Sequence, residues 1–143
     1  MQSLSGGCHC GILSVDVELL RDPGTYRPRV CDCDFCRRHG AAYVSDAEGS
    51  LRIRIKDEQV LTTYRQGSGQ AEFLLCKRCG VMIGVLYRNA GRLYAVANTR
   101  AINTSVLFGP NQRVSPKTLS AEEKASRWRE LWFSRVEGVV QGR

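Results

Sequence analysis

Residues 71–98 read AEFLLCKRCGVMIGVLYRNAGRLYAVAN. Three apolar segments stand out: Ala71–Leu75, Val81–Tyr87 and Leu93–Asn98. Each has strand length and is rich in branched or aromatic side chains. Asn89-Ala90-Gly91 separates the last two, and such residues favour tight turns. Cys76-Lys77-Arg78-Cys79 sits between the first two, followed by Gly80. The stretch therefore predicts strand, two-thiol knuckle, strand, turn, strand.

The same grammar continues on both sides. Leu13, Val15, Val17 and Leu19 alternate with Ser14, Asp16 and Glu18. Leu51, Ile53 and Ile55 alternate with Arg52, Arg54 and Lys56. Period two marks half-buried strands. Ala41–Ser45 and Gln59–Arg65 are further strand candidates, and Asp22-Pro23-Gly24 and Gly67-Ser68-Gly69 are turn signals. Many short strands with close turns predict a mainly β domain. From Phe108 to Pro116 the pattern lapses, which reads as a loop. Ser120-Ala-Glu-Glu123 is a capping box that opens a C-terminal helix over about 120–137. Ala121, Ala125, Trp128, Leu131, Trp132 and Val136 fall on its apolar face. Such a face ordinarily packs on a sheet; a tryptophan pair can also be a substrate shelf, and a second subunit can cover the stripe.

The chain has 143 residues, which predicts a single domain over 1–143. Its 43% hydrophobic and 24% charged residues exclude a disordered tail, a collagen-like rod and a coiled coil. The longest apolar or glycine run, Gly80–Tyr87, is far short of the ~20 residues that span a bilayer. No basic start leads into an apolar stretch in the first twelve residues, so the expected compartment is the cytoplasm. The formal charge is +7. Seven thiolates on two divalent ions would lower it by three, to about +4. Basic residues are spread through Arg21–Arg38, Arg52–Arg65, Lys77–Arg100 and Arg113–Arg143 with acids between them. That distribution reads as a solvated surface more than a nucleic-acid stripe.

Seven cysteines fall in three clusters: Cys8-x-Cys10, Cys31-x-Cys33-x-x-Cys36 and Cys76-x-x-Cys79. An odd total and bridges only two residues apart argue against a disulfide framework. Two thiolates one or two residues apart can grip one ion from a single tight turn. Two such pincers make a four-sulfur tetrahedral shell, which suits zinc; an iron–sulfur cluster is the main competitor. Gly11 and Gly80 would let the backbone turn beneath the metal, and Gly6-Gly7 would do the same on entry. Seven ligands close one four-sulfur site and leave three. Cys31, Cys33 and Cys36 could hold a second ion with its fourth position open to water or substrate, or His39 could complete it. His9, between two ligands, is expected to point away. Spacing alone leaves open which pincers share an ion.

Gly6-Gly-Cys-His-Cys-Gly11, then Cys31-x-Cys-x-x-Cys-Arg-Arg38, then Cys76-x-x-Cys-Gly80 closely resemble the glutathione-dependent formaldehyde-activating enzyme family, which includes centromere protein V. The resemblance covers roughly residues 5–103 in order and spacing. It implies a zinc-bearing β-tent fold and two zinc ions per chain. It further implies that Cys8, Cys10, Cys76 and Cys79 hold a structural zinc. Cys31, Cys33 and Cys36 then hold an exchangeable, catalytic zinc. The chain departs from the family at Asp34, where serine is frequent, and at Leu75, where an aromatic is common. Asp34 would add negative charge beside the open metal, or serve as a proton acceptor.

The implied activity is that of a carbon–sulfur lyase, joining glutathione or a similar small thiol to formaldehyde or a related electrophile. The product is S-hydroxymethylglutathione, formed reversibly. Arg37 and Arg38 are candidates to hold glutathione's carboxylates. A zinc-stabilised binding module, for nucleic acid or chromatin or as a thiol carrier, is the alternative. A third reading is a structural metal domain whose second site is vestigial. A nucleic-acid partner is disfavoured by the dispersed charge, and no membrane partner is expected.

Overall fold

The structure is a computed structural model. It describes residues 1–103 and 105–138; Thr104 and residues 139–143, including Arg143 at the end of the last basic stretch, lie outside the described residues.

The two alternating segments build the first sheet. β2 (Leu13–Leu19) and β5 (Ser50–Ile55) pair antiparallel, with Val15 opposite Ile53 and Val17 opposite Leu51. Leu13, Val15, Val17, Leu19, Leu51 and Ile53 are all buried. Arg54 and Asp16 stand on the other face as an ion pair at 3.0 Å. β1 (Gln2–Gly7) flanks β2, and β11 (Val136–Glu137) runs parallel beside β5.

The quoted stretch forms the centre of the second, seven-stranded sheet. β7 (Ala71–Cys76), β8 (Met82–Asn89) and β9 (Arg92–Asn98) make an antiparallel meander. β6 (Leu61–Tyr64) flanks β7, and β4 (Tyr43–Val44) follows β9. β3 (Arg29–Cys31) and β10 (Gln112–Val114) complete that side, β10 running parallel to β3. Leu74, Ile83, Leu86 and Ala95 pack toward the first sheet. Phe73, Val85, Tyr94 and Val96 belong to a second apolar cluster with Ala125 and Trp132. Both faces are thus covered, which is why these strands read as continuous apolar runs. Burial of each such side chain contributes roughly 1.5–3 kcal/mol.

The chain is mainly β, with two sheets and a C-terminal helix, as the alternation and the resemblance require. Both hairpin turns fall where expected, with Gly67 and Gly69, and Ala90 and Gly91, at positive φ. The helix α2 (Ala121–Leu131) has its capping box at Ser120 and Glu123 but stops short of the expected end near 137. Beyond it, Phe133 exchanges two backbone hydrogen bonds with Ala95, at 2.9 and 3.0 Å. Phe133 is fully buried, and Val136 joins a strand instead of the helix face. Tertiary pairing has overridden the helical spacing. The supposed loop at 108–116 contains β10, whose three residues are set by pairing to β3. β1 and β3 carried no alternation. Gly6 and Gly7 serve close approach: a Cβ at Gly6 would lie 2.0 Å from the Ala101 carbonyl oxygen, and one at Gly7 2.4 Å from that of Leu13.

One buried carboxylate offers a stability test. Asp46 Oδ2 accepts from the Leu20 N–H at 2.9 Å and from the Tyr26 hydroxyl, and Oδ1 accepts from the Glu48 N–H at 2.9 Å. Burial raises its pKa, but these donors outweigh burial and leave it below the usual value. The stability it contributes is complete above the unfolded pKa of about 4 and is lost as pH falls through the folded value. Asp46→Asn should cost about 1–3 kcal/mol at neutral pH. Urea unfolding of both proteins should show the gap shrinking from pH 7 to pH 3; a constant gap would show that the charge is not its source.

Candidate metal centres

Two knuckles of the same build face one another across the two sheets. In the first, between β1 and β2, the Cys8 N–H donates to the Leu13 carbonyl at 2.9 Å, and Gly11 takes φ 84°. In the second, between β7 and β8, the Cys76 N–H donates to the Val81 carbonyl at 2.9 Å, and Gly80 takes φ 82°. The Leu13 N–H reaches Cys8 Sγ at 3.3 Å, and the Cys79 N–H reaches Cys76 Sγ at 3.4 Å. The sulfurs of Cys8, Cys10, Cys76 and Cys79 all lie within 4.8 Å of one another. Cys8–Cys10 and Cys10–Cys76 separations are 3.7 and 3.6 Å. Tetrahedral Zn–S bonds of about 2.3 Å put sulfurs about 3.8 Å apart, which these two separations match. No disulfide forms; all seven thiols are free.

The second cluster is built on one short helix. Cys31 ends β3, Cys33 caps α1 (Asp34–His39), and Cys36 lies within it. The Cys33 sulfur accepts the Cys36 N–H at 3.4 Å, the role a serine or aspartate takes at other helix starts. The three sulfurs also lie within 4.8 Å of one another. Cys36 Sγ is 3.1 Å from the Tyr43 hydroxyl, and the Gln66 side-chain amide donates to Cys33 at 3.9 Å. Donation from the Cys36 thiol holds Cys31 down to about 6 in spite of burial. Cys36 is pushed up by holding that proton and by its burial. Burial, then the nearby thiols, push Tyr43 up as well.

All three cysteines line a cavity of about 270 Å³ between the seven-stranded sheet and α2. Phe73, Val85, Val96, Trp128 and Trp132 form its apolar walls. Arg29, Lys117, Lys124 and Arg127 supply positive charge, and no carboxylate of the described residues lines it. Among the described residues none of these four cations has a salt bridge. Arg29 instead donates to Ser45 Oγ at 2.6 Å. Desolvation, then the Arg127 charge, lower its pKa to about 10.

The model of the glutathione-dependent formaldehyde-activating enzyme family matches residues 3–118, a span that holds all seven cysteines. The chain belongs to that family. It is also similar to a Rhodobacter sphaeroides protein of known crystal structure, at 31% identity and a TM-score of 0.55. That match covers 71% of this chain and 89% of the other.

Within this family framework the residues singled out from sequence can be placed. The seven cysteines gather into one cluster of four and one of three, in the division that the resemblance implied. His39 joins neither; its exposed ring lies 4.5 Å from that of Phe35. Asp34 is turned to solvent with its side chain 90% exposed, 3.7 Å from Arg37 and 4.0 Å from Arg38. Its charge faces water and these arginines rather than the sulfurs. Arg37 and Arg38 are exposed and do not line the cavity. The cations that do line it, Arg29, Lys117, Lys124 and Arg127, carried no sequence signal beyond their charge. Both tryptophans line the cavity; Trp132 is buried in the apolar cluster and half-buried Trp128 packs against it. No helix among the described residues is long and apolar enough to cross a membrane.

Proposed function

We propose that the chain is a two-zinc carbon–sulfur lyase that joins glutathione to an aldehyde, and cleaves the adduct, at the three-cysteine cluster. The observation that carries this reading is three convergent sulfurs opening on a cavity with four cations and, among the described residues, neither a salt-bridge partner for them nor a carboxylate in its lining. Cys8, Cys10, Cys76 and Cys79 would hold the structural ion, and Cys31, Cys33 and Cys36 the catalytic one. Bound at the second cluster, zinc would lower the pKa of a substrate thiol or polarise an aldehyde oxygen.

The remaining tasks fall to side chains. Arg29, Lys117, Lys124 and Arg127 match the two carboxylates of glutathione, and guanidinium–carboxylate pairs also fix orientation. Arg37 and Arg38 are left to attract the anion from solvent. Tyr43 steadies Cys36 through its hydroxyl, which must be the donor of that pair once Cys36 is a thiolate. Valines 85 and 96 and the tryptophans keep water from the reacting carbon. Seven free thiols suit a reducing compartment such as the cytoplasm.

Exchange NMR with glutathione and labelled aldehyde tests the activity. The protein should accelerate interconversion of free and adduct carbon. Equal rates with and without protein, with glutathione still bound, would make the chain a carrier. Arg127→Ala should raise the half-saturating glutathione concentration about tenfold. The maximal rate should change much less, because the lost contact is to a carboxylate remote from the sulfur.

A further inference from the structure

The cavity is more apolar than the smallest aldehyde requires. Its volume of about 270 Å³ is shared with the thiol that carries the substituent, so its lining bears on the choice of electrophile. Formaldehyde has one carbon and one oxygen and brings no apolar surface. Glutathione's peptide is polar and matches the cationic side. The apolar lining formed by Phe73, Val85, Val96, Trp128 and Trp132 has no partner in the added group of S-hydroxymethylglutathione. The wall is also preorganised. Trp128 and Trp132 stack with centroids 4.9 Å apart, and Tyr87 meets Trp128 edge-on at 5.3 Å. Both tryptophans lie beyond residue 118, outside the span matched by the family model.

We propose that this cavity is built for glutathione adducts whose sulfur carries an apolar, flat substituent, which makes an aryl-bearing aldehyde the fitting electrophile rather than formaldehyde. The inference rests on the thiol–aldehyde reading above for its chemistry. The step is balanced without a further reagent. The sulfur lone pair forms the S–C bond, the carbonyl π pair moves to oxygen, and that oxygen takes the proton the thiol gives up. The reverse breaks the S–C bond and returns the proton to sulfur.

The full chain loaded with zinc should be titrated with S-benzylglutathione and S-methylglutathione, two stable thioethers, by calorimetry and tryptophan fluorescence. The benzyl compound should bind at least about tenfold more tightly, as aromatic burial against Trp128 predicts. Trp128→Ala should reduce the ratio to about threefold or less, and Trp128→Phe should restore most of it, which separates a lost wall from a lost fold. Equal affinities, or a methyl preference, would overturn the proposal. Exchange NMR with benzaldehyde and formaldehyde supplies the second arm. Faster catalysed exchange of formaldehyde would overturn the electrophile assignment and leave the lyase reading intact. A benzyl preference without any catalysed exchange would support the cavity assignment and remove the lyase reading.

Discussion

Replacing Cys76 with serine is expected to cost the protein its fold. Cys76 is 1% exposed at the end of β7, and its sulfur lies 3.6 Å from that of Cys10. The cluster it belongs to fastens the β1–β2 knuckle of one sheet to the β7–β8 knuckle of the other. A structural zinc in such a shell is worth roughly 10–16 kcal/mol in small zinc-dependent folds. The net stability of a whole domain is only about 5–15 kcal/mol. Serine offers no thiolate, and the three remaining sulfurs would be crowded without a full complement of ligands. Far-ultraviolet circular dichroism and metal analysis should therefore show lost structure together with lost metal. A variant that keeps native dichroism and a cooperative thermal transition while binding no ion at this cluster would refute the structural role.

Cys33→Ser is expected to do the opposite: abolish catalysed exchange while sparing the fold. Cys33 is partly exposed at the cavity, and its sulfur caps α1 by accepting the Cys36 N–H at 3.4 Å. Serine is among the best capping residues, so α1 should survive the change. The reaction centre should not survive, since two thiolates hold a zinc ion far less well than three. Exchange should fall to the uncatalysed rate, with metal content near one ion per chain and the melting temperature within a few degrees of wild type. Undiminished exchange would place the chemistry elsewhere. Global unfolding would make both clusters structural.

The legibility of this sequence follows from where each signal is stored. β2 and β5 were readable because one face of each is buried, so Val15 and Ile53 alternate with charged neighbours. β1 was not, because Ser3, Ser5, Gly6 and Gly7 form an edge strand whose only instruction is to lie close to other backbones. The end of α2 was misplaced because its stop signal is a pairing partner nearly forty residues earlier, Ala95, rather than a local breaker. The thiol groups were evident from spacing, but their division into four and three came only through the family resemblance. The cavity was the least legible part. Arg29 comes from a strand edge and Lys124 from a helix, and only the folded chain brings them to one opening.

The segment after α2 has a consequence for descent. Phe133 is sewn to Ala95 in one sheet and Val136 lies beside Leu51 in the other, so the helix is held firmly without containing a single sulfur. On the reading proposed above, the sulfurs and the two tryptophans of the cavity would be inherited on separate pieces of chain, and a relative that exchanged only the C-terminal piece would keep its thiols while altering part of the cavity's lining.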